Sequence, residues 1–392
     1  MIGDIYALNG NLEVVGLIDI YISCIWANRY DEEGDCELYL PATSDMFELM
    51  RDSSYLMRRD DDMVCRIVKV ELTTDAEDGD HIIVTGVDAK TMLDQRIIWS
   101  TEICNGLVEA FVRDVVSHSC IASGMAARNL VKPDGDPLLL LGELEGFAEK
   151  SKEQVTYKNL GDFVRELCKR YQWGYAVKMR DKTFYFELYK GIDRTGTVIF
   201  SDAYENLAST SYVVDMSHLG NIALIAGEGE GADRQREVVG SASGTERYEI
   251  YVDAKDISKK VTYGELLQAF PGGTVQVIDG VIYYVHDGVL VAVLETEEPE
   301  ENDTGTLTDG IYGNYLMTRG QEKLSEYGET VTFEGQVVPD VTFSYRKDFW
   351  LGDLVRVRNS YGVEVDARIV EVVEVMDDSG YSIEPKFEYQ EG

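Results

Sequence analysis

The chain has 392 residues, of which 44% are hydrophobic and 10% aromatic, so it can bury substantial cores and is too long for one ordinary domain. Its 72 acidic and 36 basic residues give a formal net charge of −36, which disfavours binding to DNA or to anionic membranes. Only 7 prolines accompany 36 glycines and 24 tyrosines, a balance that favours strands and tight turns. We therefore predict a β-dominated α+β protein of several domains.

Residues 1–100 are predicted to form a small β-barrel. Alternating apolar and polar residues indicate four strands, at residues 13–25, 37–40, 64–72 and 81–87. Short helical turns at residues 44–50 and 88–93 would close the end of such a barrel.

Residues 101–215 are predicted to form an α+β domain inserted after this first sheet. Apolar residues recur at helical spacing at 107–116 and again at 160–168, which indicates two amphipathic helices. A hairpin of residues 174–179 and 183–189 follows the second helix.

Residues 216–330 are predicted to form a β-rich domain. Three apolar runs within residues 275–294 are separated by Asp279-Gly280 and Asp287-Gly288, the dipeptides that type I′ turns favour, so we expect a three-stranded meander. An acidic loop at 295–306 and a helix at 314–327 follow. Residues 331–392 should form a second small β-barrel with strands at 354–358, 363–375 and 382–389.

The inventory of reactive residues gives no catalytic, cofactor-binding or metal-binding set. Six cysteines contain no CxxC pair, four histidines lie far apart without HExxH, and no GxSxG is present. The acidic runs at residues 60–62 and 75–80 lack the order of a calcium loop and are predicted to be solvated turns. Carboxylate pairs suited to glycoside hydrolysis stay open, because so many acids guarantee accidental neighbours. The four tryptophans are predicted to lie in cores.

The Gly-Glu segment, residues 226–234, superficially resembles a phosphate-binding loop. It lacks the Lys-Ser/Thr of a P-loop, and Glu228 and Glu230 would repel a phosphate. Alternating glycines after a predicted strand instead favour a bend where backbones approach closely, with Arg234 free to pair with a neighbouring acid.

Three passages carry distinctive motifs: residues 26–41, the Gly-Glu segment with residues 247–257, and residues 351–357 with 367–371. Together they resemble the ReqiPepy-type siphophage tail proteins, which are related to baseplate hub and tail-associated proteins of long-tailed phages. The motif residues that carry this resemblance are Trp26, Arg29, Tyr30, Gly227, Glu228, Gly229, Glu230, Gly231, Asp233, Arg234, Asp253, Asp256, Gly352 and Asp353.

The resemblance implies a hub architecture, in which β-barrels from the two ends of the chain lie side by side and three copies form a pseudo-sixfold ring. Such a homotrimer would be a non-enzymatic minor tail protein that joins the tail tube to the distal tip. Its partners would be the distal tail or tube protein, the tape measure and a receptor-binding protein, with DNA only in passage. Head-to-tail ring contacts would use the strand edges of the terminal barrels.

The sequence contains neither a secretory leader nor an apolar run of membrane-spanning length, so we expect no membrane insertion. Assembly in the host cytoplasm and residence at the virion tail tip follow from this expectation and the resemblance. Acids that line the channel would keep DNA from adhering, within about 8 Å of the wall at physiological salt.

Two other functions stay open. One is a host-receptor or carbohydrate-binding tip protein, whose binding surface would be the meander and its acidic loop. The other is a tail-associated lysin, because proteins of the resembled group often carry lytic function in long C-terminal extensions. Zymography on peptidoglycan would detect the second.

Overall fold

The computed structural model describes residues 2–74, 79–337, 342–359 and 361–389. Its α-helices are Ser44–Asp52 (α1), Val108–Val116 (α2), Leu160–Tyr171 (α3), Tyr263–Ala269 (α4) and Asp309–Ser325 (α5). The strands before residue 190 are Ile5–Leu8 (β1), Val14–Ile18 (β2), Ser23–Arg29 (β3), Asp35–Pro41 (β4), Tyr55–Arg58 (β5), Val64–Thr73 (β6), His81–Asp88 (β7), Glu102–Leu107 (β8), Leu139–Leu141 (β9), Lys150–Val155 (β10), Gly174–Arg180 (β11) and Thr183–Tyr189 (β12).

The later strands are Ile199–Ser201 (β13), Leu207–Asp215 (β14), Ile222–Ala226 (β15), Arg236–Gly240 (β16), Glu249–Asp253 (β17), Lys260–Thr262 (β18), Thr274–Ile278 (β19), Val281–His286 (β20), Val289–Leu294 (β21), Thr304–Leu307 (β22), Thr330–Val337 (β23), Leu354–Arg358 (β24), Glu364–Asp377 (β25) and Gly380–Tyr389 (β26). The β-dominated α+β class is therefore confirmed. The predicted strand over residues 13–25 is wrong as one element, because residues 19–22 separate β2 from β3.

Local sequence signals set several elements as predicted. The α3 helix begins after Asn159, whose side chain accepts a hydrogen bond from the Asp162 N–H at 3.1 Å. The meander β19–β21 turns at the two Asp-Gly dipeptides, whose φ angles are all positive, as type I′ turns require. The hairpin β11/β12 is confirmed in the same way by its antiparallel pairing.

Both ends of the chain contribute to one large sheet of strand order β14-β23-β26-β25-β3-β4-β7-β6-β5-β1-β2. Two of its units share one topology. Strands β3 to β7 have the order β5-β6-β7-β4-β3, and strands β14 and β23 to β26 have the order β24-β25-β26-β23-β14, with each pair antiparallel. We call these units the N-terminal repeat and the C-terminal repeat.

The two repeats also share their register. A β-bulge falls between Ile67 and Lys69 in the β6/β7 hairpin and between Ile369 and Glu371 in the β25/β26 hairpin. With the bulges superposed, Arg66-Ile67-Val68 of β6 corresponds to Arg368-Ile369-Val370 of β25. The same alignment places β3 on β14 and β4 on β23. In the N-terminal repeat a short turn joins β3 to β4. At the equivalent place in the C-terminal repeat, between β14 and β23, the chain carries all of residues 216–329.

The expectation of two separate terminal barrels is not confirmed. Among the described strands no sheet closes on itself, and the two repeats are joined edge to edge by β3 and β25. The physical reason lies in the length of β25. Its first part pairs with β24 and its second part, residues 371–376, pairs with β3 of the other repeat. We call the β3/β25 pairing the seam.

The remaining segments pack beside this sheet around their own cores. Helices α2 and α3 bury one core against the β11/β12 hairpin, where Trp173 and Phe186 are fully buried. Burying each such side chain stabilises the fold by roughly 1.5–3 kcal/mol. Helix α5 closes a second core with the β15–β17 sheet and the meander, around Tyr284 and Tyr312.

Candidate functional site

The seam contains the first family motif and the residues that join the two repeats. In its antiparallel register, Arg29 lies opposite Glu371 and Trp26 lies opposite Glu374. The Arg29 Nε donates to Glu371 Oε1 at 2.6 Å, and its Nη1 donates to Asp35 Oδ2 at 2.6 Å. Trp26 is fully buried, with the Arg58 guanidinium 5.5 Å from its ring centroid.

A buried carboxylate forms the centre of the seam. Glu374 is completely inaccessible to solvent and accepts hydrogen bonds from Arg58 Nη1 at 3.0 Å, Arg346 Nη2 at 2.6 Å and the Tyr381 hydroxyl at 2.7 Å. Burial alone would raise its pKa, but the hydrogen bond from Arg346 and the charge of Arg58 lower the pKa of Glu374 to about 2. The carboxylate therefore stays ionised and fixes three chain segments at one point.

The acidic run at residues 60–62 is not the solvated turn that its sequence predicts. The side chain of Asp61 is only 4% exposed and is ion-paired with Arg346. It also accepts a hydrogen bond from Asn28 Nδ2 at 2.8 Å. Asp60 pairs with Arg58 at 2.7 Å. Two of these acids are therefore bound to the arginines that surround Glu374. Residues 75–78 of the other acidic run lie outside the described residues.

The first and third family motifs meet at Tyr30 and Gly352. A Cβ on Gly352 would lie 2.3 Å from a carbon of the Tyr30 ring, and this glycine has a φ of +90°. Only glycine fits both conditions. The neighbouring Asp353 is 2% exposed and accepts hydrogen bonds from the Ile192 N–H at 2.8 Å and the Arg194 Nε at 2.5 Å. This contact ties the chain after β12 to the C-terminal repeat.

The Gly-Glu segment lies elsewhere, between β15 and β16 and beside α5. The Arg234 guanidinium donates to the carbonyls of Gly227 at 2.5 Å and Ala226 at 2.6 Å, and it pairs with Asp253 at 2.5 Å. This pairing with an acid confirms the prediction for Arg234. The hydroxyl of Tyr312 accepts a hydrogen bond from the Glu228 N–H at 2.7 Å, where it occupies the space a Cβ on Gly227 would need.

The other residues of the middle motif are placed around this bend. Gly229 and Gly231 have positive φ angles, while Glu230 and Asp233 are exposed. Asp256 forms a two-point ion pair with Arg319 of α5 at 2.9 and 3.1 Å. The structure thus brings the first and third motifs together at the seam and keeps the middle motif apart as a junction to α5.

Two clefts flank the seam. One of about 790 Å³ is lined by Asp61, Lys90 and Arg346 among others, and one of about 1190 Å³ is lined by Glu166 and Glu322 among others. Burial raises the pKa of Glu166, and the neighbouring Glu322 carboxyl raises it further. Both carboxyl groups are paired with cations, Glu166 with Lys158 and Glu322 with Arg170.

Within the described part of the chain, no three His, Cys, Asp or Glu side chains are grouped to hold a metal ion. No helix there is both long and apolar enough to cross a membrane. The six cysteines are unpaired and buried. Of the tryptophans, Trp26 and Trp173 lie in cores as predicted, whereas Trp99 is 54% and Trp350 39% exposed, so the prediction is wrong for these two.

Sequence reasoning missed the cluster around Glu374 and the equivalence of the two repeats. The cluster joins residues more than 300 positions apart, and no local pattern marks such partners. The equivalence of the repeats is visible in the sequence as one short match. The pattern Arg-Ile-Val-Xaa-Val occurs at both 66–70 and 368–372.

Comparison with solved structures supports the same fold. The tail protein from Neisseria meningitidis MC58 has 10% identity and a TM-score of 0.56, with 99% of this chain and 96% of that chain covered. The 43 kDa tail protein of prophage MuSo2 from Shewanella oneidensis has 10% identity and a TM-score of 0.52, with 98% of each chain covered. The prophage tail protein gp18 from Listeria monocytogenes EGD-e has 12% identity and a TM-score of 0.50, with 99% of this chain and 95% of that chain covered.

At such low identity these likenesses show the fold alone. No curated protein sequence matches the chain. Residues 4–387, which include all three motif passages, match the family model described as Siphovirus ReqiPepy6 Gp37-like protein. The chain therefore belongs to this family of siphovirus tail proteins.

Proposed function

We propose that this tail protein is a ring-forming hub of the tail tip, which joins the tail tube to the distal tip and surrounds the channel through which DNA leaves. The observation that carries the proposal is the seam. Two repeats of one topology lie side by side in one sheet, and in each repeat one strand, β14 or the second part of β6, keeps an edge without a neighbouring strand among the described residues. Such a unit is suited to continue into further copies of itself.

Three copies in the ring, and contacts with a tube protein, the tape measure and a receptor-binding protein, are parts of this proposal. Membership in a structural tail protein family suggests a non-enzymatic role and a place in the virion tail. We retain the division at residues 1–100, 101–215, 216–330 and 331–392 as a proposal for the folding units. Limited proteolysis should cut first at the boundaries near residues 100 and 216, because the boundary at 330 falls at the start of the paired strand β23.

Native mass spectrometry of the purified chain tests the ring, and cryo-electron microscopy of intact tails tests its place. The proposal expects a trimer in solution and density for three copies around the tail axis, below the tube. A chain that stays monomeric at high micromolar concentration, and that lies off the axis in the tail, would contradict it.

Receptor or carbohydrate binding is a second candidate, because the meander exposes apolar side chains. Val277 is 50% and Val289 52% exposed, although both lie in a sheet whose other residues, such as Tyr284, are buried. Deleting the meander would disturb that core, so Val277→Ser with Val289→Ser is the sharper test. Reduced adsorption of phages with intact tails would support binding. Val238→Ser, on a strand of another sheet and 56% exposed, is the matched control.

A further inference from the structure

Several strand edges of the large sheet lack a neighbour among the described strands, among them those of β2, β13, β14 and the second part of β6. Strand β14 ends the sheet and, among the described strands, pairs only with β23. Strand β6 pairs with β5 as far as Arg66, and beyond its bulge the edge opposite β7 is free of any described strand. Apolar side chains accompany both edges, since Leu72 is 45% and Val214 42% exposed. Free edges of this kind are sites of strand pairing.

The seam shows what such edges bind. Within one chain, the part of β25 beyond its bulge pairs with β3. Because β25 corresponds to β6 and β3 corresponds to β14, these two free edges are the equivalents of the two strands that form the seam. Six strands of the same sheet separate β14 from β6, so these two edges can pair with each other only between copies.

We propose that β6 of one copy pairs antiparallel with β14 of the next copy, in the register of the seam. This inference rests on the proposed ring function and names the interface that would build it. The repeat alignment assigns each residue of β6 an equivalent in β25 and each residue of β14 an equivalent in β3. If β6 and β14 pair as β25 and β3 do, Lys69 lies opposite Asp215, Val70 opposite Val214, and Glu71 opposite Val213.

The first of these pairs carries an independent argument. Lys69 is equivalent to Glu371, and Asp215 is equivalent to Arg29, which form an ion pair in the seam. The strand that carries the acid in the seam therefore carries the base in the proposed interface, and the other strand carries the acid. The Lys69 side chain pairs with Glu71 within the chain but is still 61% exposed, and Asp215 is also exposed, so a partner can reach both. In the proposed interface, Lys69 and Asp215 would thus form an ion pair at the position where Glu371 and Arg29 pair in the seam.

The exchanged polarity also discriminates against wrong contacts. If β6 paired with the β3 edge of another copy, Lys69 would meet Arg29, and if β14 paired with a β25 edge, Asp215 would meet Glu371. Both arrangements place like charges opposite each other, which is unfavourable. N-terminal and C-terminal repeats must then alternate around the assembly, as a head-to-tail ring requires.

Cross-linking tests the register directly. Paired residues of antiparallel strands have Cα atoms about 4.5–5.5 Å apart, within the range a disulfide spans. Val70→Cys with Val214→Cys, and in a second variant Glu71→Cys with Val213→Cys, should give oxidised multimers on non-reducing gels, in at least one of the two variants. The native cysteines are buried and should not contribute. Val238→Cys with Val70→Cys is the control and should give none.

A charge exchange tests the ion pair. Lys69→Glu and Asp215→Lys should each weaken association by about tenfold per contact, and the double variant should restore it. Multimers from the cross-linked variants together with this rescue would support the interface. If the wild type assembles but neither the cross-linking nor the rescue is observed, the proposed interface is wrong and the proposed ring is not affected. If the wild type is monomeric, both the interface and the ring are wrong.

Discussion

Replacing Glu374 with glutamine should destabilise the protein strongly. The substitution keeps the shape of the side chain but removes the charge that balances Arg58 and Arg346. Lowering a carboxyl pKa from its ordinary value to about 2 corresponds to roughly 3 kcal/mol of stability near pH 7. Breaking a buried ion pair by removing one partner costs about 3–5 kcal/mol, so the two approaches agree.

Urea denaturation, followed by tryptophan fluorescence, measures this loss at pH 7. The pH dependence has a definite sign. Since the folded pKa of Glu374 lies below its unfolded value, its contribution is complete above about pH 4.5 and is lost as the pH falls towards 2. The difference between wild type and Glu374→Gln should therefore shrink from pH 6 to pH 3.

The matched control is Glu364→Gln on the same strand, where the side chain is 38% exposed beside Arg358. It should cost no more than about 0.5 kcal/mol, because exposed ion pairs contribute little. If Glu374→Gln were as mild as this control at pH 7, the seam carboxylate would not hold the two repeats together and the reasoning would be refuted.

Three further changes test other parts of the structure. Gly352→Ala should lower the free energy of unfolding by roughly 3 kcal/mol or more, because the added Cβ would overlap Tyr30 at a positive φ. Its control is Gly362→Ala, also at positive φ but in open space, which should cost only about 1 kcal/mol in the same thermal or urea unfolding. Arg234→Ala removes the donor to two backbone carbonyls, so amide hydrogen exchange in residues 226–235 should accelerate, while Arg236→Ala on an exposed position should leave it unchanged. Raising the salt from about 0.15 M to 1 M should favour association of copies that each carry a net charge of −36, and a decrease would show that attraction between charges dominates the interface.

The local sequence was enough to predict the elements that local physics determines. The Asp-Gly dipeptides at 279–280 and 287–288 predicted the meander, because few residues other than glycine adopt positive φ without strain. Apolar spacing predicted α2 and α3, whose buried faces have the expected period. The family motifs were found as residues, but only the structure shows why Gly352 must be glycine and which acid Arg234 binds.

What the sequence by itself determined is therefore the class of the fold, the meander, the main helices and the family resemblance. Tertiary structure alone decided that the two ends of the chain share one sheet, that Asp61 is buried and that Glu374 lies at the centre of the seam. The physical reason is that strand pairing and buried ion pairs satisfy groups far apart in the sequence, as Arg29 and Glu371 are separated by 342 positions. Neither residue differs locally from the many solvated charges of this acidic chain, and only its partner distinguishes it.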